Sequence, residues 1–292
     1  MKKDNIVYYL FLVFYNLIIH SPKFLKKFVL NIFAFLVWHL DFFRKKVVLK
    51  NLEIAFPNLT KKERKKIAKS FYKKFVFYMA DIIDSLTITK DELKKKVNVI
   101  GEEYLYNIKD SKKPIVFMTA HFGNWEVVPK IIGGIYEIPM VVLMREFDNP
   151  KIGEFFKKSR NSFNISTLNK KSSAREIIKA FREGKALGIL IDQHSTSDTA
   201  VEVEFFNKKV KFNRAVSTLA KKFNAIILPM FSYTQNGKYY LELLPPKEFG
   251  EHDTIESFTQ WQASVIESMI KQHPDEYYWF HKRFKNIKGI YD

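Results

Sequence analysis

Pro114-Ile115-Val116-Phe117-Met118-Thr119-Ala120-His121-Phe122-Gly123-Asn124-Trp125-Glu126 is the stretch whose reading decides the fold. Ile115 to Ala120 is a short apolar run with the length and composition of a buried strand. It delivers a histidine, a glycine and an asparagine within four residues. Glycine permits an unusual backbone and close approach of a ligand. Asparagine is a good helix N-cap. The stretch therefore predicts strand, tight turn and helix start, with His121 at the strand's end and Glu126 in the next helix's first turns. In open α/β sheets ligands bind just beyond the carboxyl ends of strands.

That placement suits proton transfer. A neutral histidine takes a proton from a hydroxyl when a second group, usually a carboxylate, holds its ring in the right tautomer. Glu126 is the nearest carboxylate in sequence, and a helix N-terminus favours its charge. The stretch has no serine or cysteine, so the attacking group would be a hydroxyl of the substrate. The plainer alternative is a buried structural histidine and a solvated glutamate. Pro129 disfavours helix at Val128, so the helix starts after Asn124 or is kinked.

Moving outward, the same pattern recurs. Ile138 to Met144 and Ile165 to Leu168 read as strands, with Pro150 to Phe163 a helix between them. Ser172 to Glu183 reads as a helix closed by Gly184. Ala186 to Ile191 is continuously apolar, hence a central strand, and Asp192 ends it. Asn213 to Asn224 reads as helix, and Thr254 to Gln272 as the last one. Asn236-Gly237 between Ala225–Thr234 and Tyr239–Leu244 is a hairpin signal. Thr60-Lys61-Lys62-Glu63 is a capping box opening a helix to about Ser85. This alternation predicts an α/β fold: a mostly parallel sheet flanked by helices, with one antiparallel hairpin.

The first 45 residues differ. Ile6 to Ile19 is apolar except for Asn16, but its 14 residues fall short of a bilayer's thickness, which takes about 20. Phe28 to Trp38 is a second run, with Lys23, Lys26 and Lys27 between. Either the first run spans with its flanks, or both lie in a membrane interface with lysines reaching the headgroups. No small-residue cleavage site follows the first run, so no removed signal peptide is expected. The expected division is residues 1–45 as a membrane-associated segment and 46–292 as the catalytic domain.

The net charge is +18, and residues 1–75 hold 17 Lys and Arg against four Asp and Glu, a net +13. A basic segment beside apolar runs points to an anionic membrane and away from nucleic acid, for which no recognition helix or RNA-binding signature is present. The chain has no cysteine, which excludes disulfides and thiolate chemistry of its own. No phosphate loop, dinucleotide fingerprint or zinc spacing occurs, so no cofactor or metal is implied.

His-Phe-Gly-Asn-Trp-Glu resembles the His-x4-Asp/Glu motif of lipid acyltransferases, and more narrowly the late acyltransferases of lipid A biosynthesis. Arg145, Asn149-Pro150 and Arg160 resemble that family's second block, and Asp192-Gln193 with Val203 to Phe206 its third. His273-Pro274 through Tyr278-Trp279-Phe280-His281-Lys282-Arg283-Phe284-Lys285 resembles its C-terminal signature. The resemblance runs over residues 45 to 286 or so; His194 departs from it, standing where the family usually has an acidic residue. It implies a glycerol-phosphate-acyltransferase-like fold and a bacterial inner-membrane protein with its catalytic domain on the cytoplasmic face. It implies transfer of a fatty acyl chain from acyl carrier protein to a hydroxyl of a lipid A precursor. On this reading His121 is the base and Glu126 its orienter, with Glu202 a rival partner for the ring. Arg145, Arg160, Asn124 and Asp192 are candidates for substrate and oxyanion contacts. Two alternatives stay open: a glycerophospholipid or lysophospholipid acyltransferase with the same chemistry, and a non-catalytic membrane-surface protein of the same fold.

Overall fold

A computed structural model of the chain describes residues 2–40, 44–144, 147–169, 174–195, 200–236 and 238–291. In chain order these contain α1 (Lys2–His20), α2 (Lys23–His39), α3 (Lys45–Ala55), α4 (Lys61–Asp84), α5 (Lys90–Lys96), β1 (Val97–Ile100), α6 (Glu102–Lys109) and β2 (Ile115–Thr119). Next come α7 (Val128–Lys130), β3 (Met140–Met144), α8 (Pro150–Asn161), β4 (Ile165–Asn169), α9 (Ala174–Arg182) and β5 (Ala186–Leu190). The rest are β6 (Ala200–Phe205), β7 (Lys208–Asn213), α10 (Ala215–Phe223), β8 (Ile226–Gln235), β9 (Lys238–Leu243) and α11 (Ile255–Gln272).

Seven strands form one sheet in the order β1-β9-β8-β2-β5-β3-β4. Every neighbouring pair is parallel except β8 and β9, the expected hairpin. β2 is buried along its whole length because it has a strand on each side and a core on each face. Its residues divide by the period of two that a strand imposes. Val116 and Met118 enter the core shared with α4, α10 and α11, whereas Ile115 and Phe117 enter the one shared with α6 and α7. Burying such a side chain contributes about 1.5–3 kcal/mol. Phe117→Ala, which leaves a cavity between strand and helices, would cost about 3–5 kcal/mol.

β6 and β7 form a separate antiparallel pair packed on α11. β7 and the strand β1 are absent from the sequence reading above. In β7 the lysines point outward and only Val210 and Phe212 are buried, so a basic stretch conceals an alternating strand. Asn213 ends β7 rather than starting the helix, and its side chain accepts the Ala215 N–H at 2.8 Å.

α1 and α2 lie against α4. Ile18, Leu30 and Ala34 form a small core with Val76, Ala80 and Ile83 of α4, and Lys26 pairs with Asp84 at 2.7 Å. The outer faces leave large apolar side chains exposed, among them Leu10, Phe14, Phe24 and Phe28. Among the described residues no helix is long and apolar enough to cross a membrane.

Candidate active site

The turn after β2 takes its shape from Gly123. Its φ is +56°, and a Cβ there would stand 1.8 Å from the Ser232 carbonyl oxygen of β8, so no other residue fits without moving the sheet. A late segment of the chain clamps the turn. Phe122 and Tyr277 form an antiparallel bridge, Gly123 N–H donates to the Glu276 carbonyl at 2.9 Å, and Tyr278 N–H donates to the His121 carbonyl at 2.9 Å. The Glu276 carboxylate is itself fixed by Lys74 at 2.6 Å, by the Thr234 N–H at 2.9 Å and by the Tyr78 hydroxyl. Helix follows only from Val128. Pro129 sits in its first turn, where a missing N–H is tolerated, and a π-helical turn, Ile131–Ile135, continues it.

His121 stands two residues beyond the last residue of β2, and Asp192 two beyond the last of β5. Because Thr119 pairs with Leu190 in register, equal steps past the strand ends bring the two side chains together. Asp192 Oδ1 accepts from His121 Nδ1 at 2.8 Å and from the His121 backbone N–H at 3.1 Å. The carboxylate only accepts, so in the neutral ring Nδ1 carries the hydrogen and Nε2 the lone pair. Gln193 Nε2 lies 3.3 Å from that Nε2. The Asp192 side chain is 2% exposed and that of His121 22%. Burial pushes the Asp192 carboxyl up, but the His121 charge and hydrogen bonds outweigh it and hold the group below its ordinary value. Trp125 and Tyr278 flank the imidazole, with centroids 5.1 and 5.8 Å away.

Glu126 does not hold the His121 ring. Its Oε2 accepts from Arg160 Nη2 of α8 at 2.7 Å, and Arg160 Nη1 donates to the Met144 sulfur at 2.8 Å. The expected His121–Glu126 pair is replaced by two pairs, His121–Asp192 and Glu126–Arg160. The physical reason is the register: β5 delivers a carboxylate directly beside His121, whereas the open turn carries Glu126 towards α8. Arg160 is 9% and Glu126 35% exposed. Together they line a cavity of about 50 Å³ whose other walls are mostly apolar: Val142, Leu143, Ile189 and Met230 among them. Gly188 forms part of that wall, and a Cβ there would meet Met140 and Val142 at 3.1 Å. A larger groove of about 450 Å³ between α8 and β4 shares Met144 and Arg160 with it.

The remaining expected residues fall elsewhere. Arg145 lies outside the described residues. Asn124 does not cap a helix; its backbone oxygen accepts the Val127 N–H at 3.1 Å, and its buried amide makes no hydrogen bond among the described residues. It lines a different cavity, with Asp81 and Tyr239. Glu202 sits on β6, 54% exposed and 3.6 Å from Lys209, away from the sheet that bears His121. His281 Nε2 accepts the His194 N–H at 3.1 Å, and burial pulls both rings down to about 4. Arg283 is buried against Phe212 and Phe205, 4.1 and 5.5 Å from the ring centroids. Sequence reasoning missed Lys74, Tyr78 and Glu276. The only signal was the C-terminal block that contains Glu276. Among the described residues no group of His, Cys, Asp and Glu could hold a metal ion.

Residues 2–286 match the model of the family described as bacterial lipid A biosynthesis acyltransferase. The lipid A biosynthesis lauroyltransferase of Escherichia coli is 26% identical over 245 residues, which cover 83% of this chain and 79% of the relative. A lipid A biosynthesis acyltransferase of Haemophilus influenzae is 23% identical over 248 residues, covering 83% and 77%. The E. coli palmitoleoyltransferase of the same biosynthesis is 22% identical over 245 residues, covering 83% and 79%. Among solved structures, the 1-acyl-sn-glycerophosphate acyltransferase PlsC from Thermotoga maritima aligns with a TM-score of 0.43 and 11% identity. That alignment covers 85% of this chain and 97% of that one.

Proposed function

The chain belongs to the bacterial lipid A biosynthesis acyltransferase family, and we propose that it moves a fatty acyl chain from acyl carrier protein to a lipid A precursor with His121 as general base. Acyl transfer in lipid A biosynthesis follows from the family; the donor, the base and the steps are our reading. The observation that carries it is the 2.8 Å contact between His121 Nδ1 and Asp192, which leaves a lone pair on Nε2 of a partly exposed ring. In the proposed reaction an acceptor hydroxyl gives its proton to Nε2 as its oxygen attacks the thioester carbonyl. Asp192 stabilises the imidazolium that forms. The tetrahedral intermediate then expels the thiolate, which takes the proton back from Nε2. No acyl-enzyme forms.

Arg160 supplies positive charge where the oxyanion and the acceptor's anionic groups would lie, and Glu126 holds that guanidinium in place. Arg145, directly after β3 in sequence, is proposed for the same region. The apolar cavity and the groove that adjoins it at Met144 are assigned to the acyl chain. Residues 1–45 are assigned to seating the enzyme on the cytoplasmic face of the inner membrane, a reading supported by the exposed apolar faces of α1 and α2. The +18 net charge suits both an anionic bilayer and an acidic carrier protein.

Mass spectrometry of lipid A from wild-type cells, deletion cells and deletion cells carrying His121→Ala tests the whole reading. The expected result is one acyl group fewer in the last two. Unchanged lipid A with altered phospholipids would sink it.

A further inference from the structure

Lys130 is the polar residue in Val127-Val128-Pro129-Lys130-Ile131-Ile132, and the fold buries it to 3% exposure. Its Nζ donates to the Ser85 carbonyl, to Ser85 Oγ at 3.1 Å and to Ser159 Oγ at 2.8 Å, and lies 5.4 Å from the centre of the Phe163 ring. The oxygens that hold it are neutral, so these bonds do not neutralise the charge. Burial, then the Arg160 charge, pulls the ammonium down to about 8, while Glu126 acts the other way. A buried cation without a bonded carboxylate is an expensive way to fill a core position. The position itself explains the expense. Ser85 caps the C-terminus of α4, where a cation is favoured. Ser159 immediately precedes Arg160 on α8.

We propose that Lys130 is a positioning residue that sets Arg160, and through it Glu126, on the wall of the apolar cavity. Its bond to Ser159 fixes the turn of α8 that carries Arg160. Its charge disfavours any excursion of the guanidinium towards the interior and attracts the Glu126 carboxylate. It touches no substrate in this arrangement. The inference rests on the assignment of Arg160 to the reaction, which Arg160→Ala tests separately.

The test is a double-mutant cycle on purified full-length protein, using an acyl carrier protein thioester and a lipid A precursor, with His121→Ala first fixing the assay's zero. Lys130→Met keeps the stem and removes the charge. Relief of the buried charge opposes the loss of a donor to the Ser85 carbonyl and two serine hydroxyls, so the melting temperature should change little, while kcat falls about 10-fold to 10²-fold. A purely structural lysine predicts normal kcat. The sharper reading comes from combining variants. If Lys130 acts through Arg160, Lys130→Met with Arg160→Ala is no slower than Arg160→Ala alone. Losses that multiply, or a Lys130→Met enzyme with wild-type kcat, overturn the proposal. Ser159→Ala is the second route, since it removes the 2.8 Å bond and leaves the lysine. It should give a smaller loss of kcat that also disappears in the Arg160→Ala background. Wild-type kcat in Ser159→Ala, should Lys130→Met fail to fold, overturns the proposal as well.

Discussion

Two carboxylates are candidates to hold the imidazole, and the fold treats them in opposite ways. Asp192 comes from the end of a central strand, is sealed from water and bonds both the ring and the backbone of His121. Glu126 comes from an open turn, is a third exposed and faces a guanidinium. Chain distance favours Glu126, five residues from His121, over Asp192 at 71. Strand register overrides it. Nearness along the chain is a poor guide to partnership where parallel strands end side by side.

The contrast can be broken by substitution. His121→Ala removes the base that either carboxylate would serve, and turnover should vanish while the protein still folds. Asp192→Asn should come next, with kcat down by about 10³–10⁴, by analogy with the amide variant of the Ser-His-Asp carboxylate. Glu126→Gln should cost no more than about 10²-fold, the scale of a misplaced binding group. The reverse ranking, Glu126→Gln far below Asp192→Asn, would return the orienting role to Glu126. Smaller still is an effect on stability. His281 and His194 have folded values near 4, below the ordinary 6.5, so the unfolded chain takes up protons first. The cost these two rings impose on the fold should therefore be absent above pH 6.5 and grow between 6.5 and 4. Denaturant melts across that window, wild type against His281→Gln, should give a shallower decline for the variant. Glu202→Gln is expected to change nothing, and a loss of turnover there would restore it as a rival.

The sequence is legible where local physics decides the outcome. β2 and β5 announce themselves as short, mostly apolar runs, Thr60 with Glu63 forms the expected capping box, and the turn at Gly123 is where a glycine was required. His121 and Asp192 are both recognisable as strand-end residues. Their pairing is not, because it depends on β5 lying next to β2, although two strands intervene in the chain. Lys130 and Glu276 were invisible for a different reason. A charged side chain in sequence reads as solvent-facing, and only the completed packing turns these two inward. β7 was concealed by the same rule in reverse, since its lysines do face solvent and obscure Val210 and Phe212.

The bridge between Phe122 and Tyr277 also has a meaning in time. Synthesis proceeds from the N-terminus, so α1, α2 and the strands carrying His121 and Asp192 leave the ribosome well before residues 276–278. A nascent chain grown only through β9 holds every proposed reacting group but lacks the segment that clamps their turn. Until those residues are made, the turn that carries His121 lacks the backbone partners that hold it.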